Sequence, residues 1–174
     1  MTVYQLQKDL GEEIEQILKD MILKDVKGNP AKVKSYPQNL PKRLQKIQEF
    51  TEETEEVDIM GGEEGEEDPY PYCIIRADSG NIATTQGAQA VNVVAVIGIF
   101  DDDVNCLGHQ VILNMLHKIA ERFTMDPVLK DRYRLNCNTN INWILDPEDR
   151  YPYYFGAMEM TWDTFFVGRE DKYA

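Results

Sequence analysis

Residues 91–123 change from a continuous apolar pattern to a helical one. The apolar run at residues 93–100 is rich in β-branched side chains and ends at three aspartates. Such a run predicts a strand that is buried on both faces and lies in the middle of a sheet. The following segment, HQVILNMLHKIAERF, places apolar residues at steps of three and four. It predicts an amphipathic helix on that sheet, capped by Asp103 or Asn105.

The first 25 residues show the same helical spacing. Apolar side chains recur from Val3 to Ile22, and Gly28 and Pro30 supply stop signals. The pattern predicts a first helix over residues 2–25. Its apolar face is expected to pack on the sheet, and binding to a partner is the alternative. The sequence PKRLQKIQEF at residues 41–50 suggests a further short helix.

Three more segments carry strand patterns. YCIIRAD is expected to form a strand that turns at DSGN, residues 78–81, and returns along residues 90–100. Residues 133–143 alternate apolar and polar side chains, and Met158, Met160 and Trp162 alternate with polar neighbours. We therefore predict one α+β domain over residues 1–174. It has a largely antiparallel four-stranded sheet, packed by an N-terminal helix and a central helix.

Charge and composition narrow the classes of function. The formal net charge of -13 argues against stable nucleic-acid binding, which depends on cationic neutralisation of phosphates. The longest apolar run is far shorter than the roughly 20 residues of a membrane span, so we expect a soluble, unsecreted protein. The 3 cysteines lack CxxC spacing and are expected to be free thiols. We expect no metal and no cofactor.

Residues 49–68 hold eleven acidic residues and no basic one, together with three glycines. This composition opposes compaction and predicts a flexible acidic loop. The loop is either a solvated arm or a contact with a lumen or a partner. The candidate contact residues are Glu63, Glu64, Glu66, Glu67 and Asp68.

Catalytic candidates are few. His109 and His117 lie on one predicted helix without the carboxylate that a metalloprotease motif places between them. The second set of catalytic candidates is the aspartate run Asp101, Asp102 and Asp103, because carboxylates at a strand end hold magnesium in many phosphate-handling sites. Consecutive residues of an extended chain point in opposite directions, so a charged turn fits better. A metal-dependent phosphoesterase that uses these aspartates with His109 is the rival class of function.

The aromatic residues of RYPYYFG exceed what one face of a strand can bury. Some of these rings must therefore meet another surface, either the first helix or an interface in an oligomer. The candidate interface residues are Tyr151, Tyr153, Tyr154 and Phe155.

Four segments in a fixed order resemble a known family. They are PYPYCIIRADSG, the strand that ends in IGIFDDD, the helix HQVILNMLHKIAERF, and YPYYFGAMEMTW. Together they are similar to tail terminator (tail completion) proteins of long-tailed phages and prophages. The resemblance covers about residues 69–167, and YPYYFGAMEMTW is its most specific part.

The resemblance implies a structural protein without enzymatic activity. Such a subunit assembles as a ring, usually a hexamer, on the tail tube, where it stops polymerisation and joins the head completion proteins. The expected location is the virion neck, after synthesis in the cytoplasm of the bacterial host, and DNA passes through the ring. Another neck protein, such as a head completion protein, is the alternative within this class. Residues 27–68 lie outside the family pattern and form a lumen loop, an outer arm or a neck contact.

Overall fold

A computed structural model describes residues 2–45, 68–83 and 88–165 of the chain. Two long helices and one short helix lie among them: α1 (Val3–Leu18), α2 (Lys42–Gln45) and α3 (Gly108–Met125). The strands are β1 (Leu23–Lys24), β2 (Pro30–Ala31), β3 (Lys34–Pro37), β4 (Tyr72–Ala83), β5 (Ala88–Phe100), β6 (Val128–Leu129), β7 (Tyr133–Leu135), β8 (Asn142–Leu145) and β9 (Tyr153–Phe165). The predicted α+β class is confirmed.

All of these strands belong to one open sheet. β5 lies at its centre, as predicted, between β4 and β9. Beyond β4 lies β3, the only parallel neighbour among the described strands, and β1 and β2 follow one another from the end of β5. β7 and β8 pair with the other side of β9, and β6 pairs with β7. The described sheet therefore has nine strands and not four, because short edge strands extend the three long ones.

Both long helices pack on one face of the sheet. α1 buries Leu6, Leu10 and Ile14, and α3 buries Ile112, Met115, Leu116, Ile119 and Phe123, in a single apolar core with the facing strand residues. The two helices also contact each other, because Arg122 of α3 donates through Nε to Glu13 of α1 at 2.9 Å. The expectation that α1 packs on the sheet is confirmed.

The predicted bounds of the first helix are wrong at its C-terminal end. The helix stops at Leu18 and the chain then forms β1, which pairs with Phe100 at the end of β5. Ile22, which has helical spacing in the sequence, is 93% exposed. The apolar spacing of the sequence stays helical beyond Leu18, but the backbone there pairs with β5, and this tertiary pairing overrides the local helical pattern. Of the suggested helix at residues 41–50, the described part holds only α2.

Burial of β5 on both faces is only partly correct. Val91, Val93, Ala95, Ile97 and Ile99 are at most 1% exposed on the face that the helices cover. Of the alternate residues, Gly98 is buried and the other four are half-buried, because no long helix packs on the other face within the described part of the chain. The strand is therefore central in the sheet, yet its burial alternates with a period of two.

The predicted turn at DSGN is wrong. Residues 78–81 continue β4, and the register with β5 shifts between Ala77 and Ser79, so that Asp78 is the extra residue of a bulge. The two strands pair as far as Ala83 and Ala88, and residues 84–87 lie outside the described residues. Turn-forming residues at this point accommodate the bulge, where one residue lacks a partner across the ladder.

The single strand expected over residues 133–143 is two separate strands, β7 and β8. Both pair with β9, and a turn containing Asn136 and Thr139 separates them. The apolar residues of the pattern were expected to share one buried face, but Trp143 at its end is 58% exposed. The alternating pattern does not reveal that the outer side of this edge lacks a covering element.

The predicted cap of α3 is also wrong. The N-cap residue is Leu107, and no side chain caps the helix. Asp103 instead accepts the backbone N–H of Asn105 at 3.0 Å, within the turn that precedes the helix.

The two tryptophans provide a matched test of this core. Trp162 is fully buried, with its ring 5.0 Å from that of Phe123, whereas Trp143 lies on the exposed edge. We expect Trp162→Ala to lower the free energy of unfolding by about 3–5 kcal/mol, because it removes a large buried side chain and leaves a cavity. Trp143→Ala should lower it by less than about 1 kcal/mol. Urea denaturation measures both, and equal losses would contradict the placement of the two rings.

Candidate assembly surface

The aromatic cluster divides between the two faces of the sheet. Tyr154 lies on the helical face, whereas Tyr153 and Phe155 lie on the opposite face. Tyr151 precedes β9, is exposed, and donates its hydroxyl to the backbone oxygen of Asp102 at 3.1 Å. Strand alternation thus sends adjacent rings to different surroundings, as the sequence required.

Tyr154 packs against the start of α3. A Cβ on Gly108 would lie 2.2 Å from the Tyr154 ring, so the glycine allows the helix to approach β9 at this point. Burial raises the pKa of Tyr154 to about 12. The surface that meets this ring is α3 and not the first helix.

Tyr153 and Phe155 belong to a second apolar cluster, on the sheet face that α1 and α3 leave uncovered. The ring of Tyr70 lies 5.0 Å from that of Tyr153 and 6.2 Å from that of Phe155. The cluster also contains Leu40, Tyr72 and Ile74, with Val26, Tyr36, Val96 and Phe100 at its margin. Tyr153 and Phe155 remain half-buried, so each ring retains surface for a further contact.

The most exposed apolar part of the sheet is its β8 edge. Trp143 is 58% exposed and Ile144 is 64% exposed, on opposite faces of the strand. Trp143 lines a hollow of about 290 Å³ with His117 and Ala120 of α3. Ile144 lines another of about 370 Å³ with Val94 and Ala157. Two apolar side chains of this size on one edge strand are typical of a contact surface.

The backbone of β8 is also open on its outer side. Asp146 donates its N–H to Phe155, and the register alternates from there, so Asn142 and Ile144 bond to β9. The N–H and C=O groups of Trp143 and Leu145 consequently point away from β9, where no described strand pairs with them. Unpaired groups on an exposed edge accept an additional strand or polar side chains.

A turn with net negative charge follows this edge. Asp146, Glu148 and Asp149 lie within four residues of one another, and Arg150 is the one cation beside them. Arg150 pairs with Asp146 at 2.9 Å and also with Glu148. Arg150 thus pairs with two of the three carboxylates of the turn, and the negative charge of the third is left over.

The opposite side of the sheet carries a lysine-lined groove of about 410 Å³. Its lining includes Lys27, Lys32, Lys34, Tyr36 and Asp25. The Asn29 backbone amide donates to Asp25 and lowers the pKa of that carboxyl. Lys34 lies over the Tyr36 ring, 5.7 Å from its centroid.

Asp68 is the one candidate of the acidic loop that the structure describes. Its carboxylate accepts the backbone N–H of Val26 and, at 3.0 Å, that of Tyr70. It therefore fastens the start of the β4 segment to the chain after β1. The predicted flexible loop and its other candidates, Glu63, Glu64, Glu66 and Glu67, lie outside the described residues.

The aspartates of the rival catalytic site form a hydrogen-bonded turn. Asp101 accepts the N–H of Asp103 at 3.1 Å, and Asp102 lies 3.9 Å from Lys24. His109 is exposed, and its Nδ1 lies 3.2 Å from the backbone oxygen of Cys106. Across residues 2–45, 68–83 and 88–165, no group of three or more His, Cys, Asp or Glu side chains is placed to hold a metal ion.

No protein-family model matches the chain, and a search of curated proteins found no match. Among the described helices, none is long and apolar enough to cross a membrane.

The two bonds of Asp68 lead to a stability prediction. We expect Asp68→Ala to lower the free energy of unfolding by about 1–3 kcal/mol, because it leaves two backbone N–H donors without their charged acceptor. Asp78→Ala is the matched control, since that side chain is exposed in the bulge of β4. Thermal unfolding at neutral pH measures both variants. An unchanged Asp68→Ala protein would contradict the fastening role.

Proposed function

We propose that this chain is a structural phage protein that caps the tail tube as a ring and forms the joint with the head. The observation that carries the proposal is the β8 edge, where Trp143 and Ile144 are exposed beside unpaired backbone groups. A stable monomer gains nothing from such an edge, whereas an assembling subunit buries it. The ordered resemblance of residues 69–167 to tail terminators supports the particular class.

The proposal assigns no catalytic role to the chain. The aspartates at residues 101–103 bond within their own turn, and His109 lines a separate hollow with residues of the 146–150 turn, so the two parts of the rival catalytic site do not share one pocket. Three hollows of the described surface lie along the sheet edges. The hollow of about 210 Å³ beside His109 holds charged side chains of the 146–150 turn, but no three His, Cys, Asp or Glu side chains of the described residues are placed to hold a metal ion. These features suit contacts between proteins better than the enclosure of a substrate.

The partners follow from this class. The chain binds copies of itself in a ring, usually a hexamer, with the tail tube protein on one side and a head completion protein on the other. The ring is located in the virion neck after synthesis in the host cytoplasm. DNA passes through its opening without stable binding, since a wall poor in cations does not retain phosphates.

Capping of tail tubes tests this function. The chain should stop the growth of tubes that form from the tail tube protein of the same phage or prophage, and electron microscopy should show a ring at one end of each tube. Six chains of 20.1 kDa give a ring of about 121 kDa, which native mass spectrometry distinguishes from a monomer. Tubes that continue to grow at saturating amounts of the chain would refute the proposal.

The acidic segment gives a second prediction. A hexamer of this chain carries a formal charge of 6 × -13 = -78, so we expect carboxylates at the opening to keep DNA moving. Replacing Glu63, Glu64, Glu66 and Glu67 by glutamine, with Asp68 kept for its two backbone bonds, should leave ring formation intact. It should slow DNA ejection or cause salt-sensitive retention of DNA. If only solubility changes, the segment has no role in conducting DNA.

A further inference from the structure

The β8 edge and the lysine-lined groove have opposite charge. Residues 21–45, which supply most of the groove, contain six basic residues and one acidic residue, a formal charge of +5. Residues 142–163, which contain β8 and its turn, hold five acidic residues and one basic residue, a formal charge of -4. Among the residues that line the groove itself, Lys27, Lys32 and Lys34 outnumber Asp25 and Asp68, and this excess of positive charge in a chain of net charge -13 favours an anionic partner.

These two surfaces lie on opposite sides of the sheet at the same end of its long strands. Phe100, the last residue of β5, pairs with Lys24 of β1 on one side and with Tyr153 of β9 on the other. The lysine-lined groove adjoins the first pairing, and the acidic turn of residues 146–150 leads directly into the second. A displacement across the sheet, combined with a rotation, therefore brings the acidic turn of one copy to the groove of the next.

We propose that the β8 edge and acidic turn of one copy bind the lysine-lined groove of the next copy. This contact rests on the ring in the proposed function and identifies the surfaces that close it. It uses two different surfaces, and such head-to-tail contacts form a ring when the rotation between copies closes. Trp143 and Ile144 supply apolar area at the centre, and the exposed Ile22 supplies apolar area next to β1.

Pairing of two identical edges is less favourable. Joining two β8 edges would bring two negatively charged turns together, and like charges in contact oppose association. The outer edge of β3 does not accept a strand easily, because Glu15 already accepts the Ser35 N–H at 2.7 Å and Pro37 has no N–H. The lysine side therefore offers side chains and a groove, and the β8 side offers an open edge.

Reciprocal charge reversal tests the contact. Lys32→Glu/Lys34→Glu changes the groove lining from three lysines and two aspartates to one lysine and four carboxylates, so that groove and turn are both acidic. Glu148→Lys/Asp149→Lys changes the formal charge of the turn at residues 146–150 from -2 to +2, so that both are basic. We expect each variant to lose at least about tenfold in its self-association constant, measured by sedimentation and light scattering at low salt. An equimolar mixture should assemble again, because every junction then joins opposite charges. Lys8→Glu/Lys118→Glu, on the exposed faces of α1 and α3, is the control for the first variant, with the same change of charge.

The apolar part of the contact is tested separately. Trp143→Ser/Ile144→Ser should weaken self-association at every salt concentration, because the loss is not electrostatic. Val104→Ser/Met125→Ser removes exposed apolar side chains elsewhere and should leave the association constant unchanged. Circular dichroism confirms that each compared variant is folded.

Three results would overturn this inference: a wild-type chain that stays monomeric at all concentrations, charge-reversed variants that assemble like wild type, and a mixture that fails to recover. Its failure is distinguishable from failure of the proposed function. Tube capping that is insensitive to these substitutions would overturn the contact alone. Assembly that follows the charges without any capping of tubes would support the contact and overturn the tail terminator role.

Discussion

The pairing of β5 with β9 is the constraint on which the described structure depends. The two strands pair along thirteen residue pairs, and β4 pairs with the other side of β5. The larger apolar core then falls on one face, where α1 and α3 cover it, and the smaller cluster around Tyr72 and Ile74 lies on the other face. A shift by one residue would move Val93, Met160 and Trp162 to the other face, so the buried side chains fix the register.

One-sided coverage explains where surface remains for contacts. On the second face, the Tyr70 and Tyr153 rings close only the end near Phe100. Tyr72 fits there because Gly98 is directly opposite, and a Cβ at that position would lie 2.6 Å from the ring. The long strands extend past this cluster to half-buried residues such as Val94. The two edges of the sheet differ. Glu15 accepts the Ser35 N–H of β3, whereas no described strand pairs with the outer side of β8.

Part of the candidate surface was predictable from the sequence. The surplus of rings at residues 151–155 indicated that strand β9 meets more than one surface, and the structure divides Tyr154 from Tyr153 and Phe155 accordingly. Trp143 was missed as an exposed residue because an apolar residue in phase with a buried face is indistinguishable from core in a sequence pattern. The one available signal was Ile144 beside it, since adjacent strand residues point to opposite faces and both were large and apolar.

The sequence by itself determined the elements whose burial has a period. α1, α3, β5 and β9 follow from apolar spacing, because a helix or strand that packs on one side must repeat its apolar residues at its own step. Only the tertiary structure decided that DSGN continues β4, that α1 ends before β1, and that no described strand pairs with the outer side of β8. Those outcomes depend on which strand pairs with which segment, and pairing joins residues far apart in the chain. The local spacing of apolar residues therefore does not predict which strands pair.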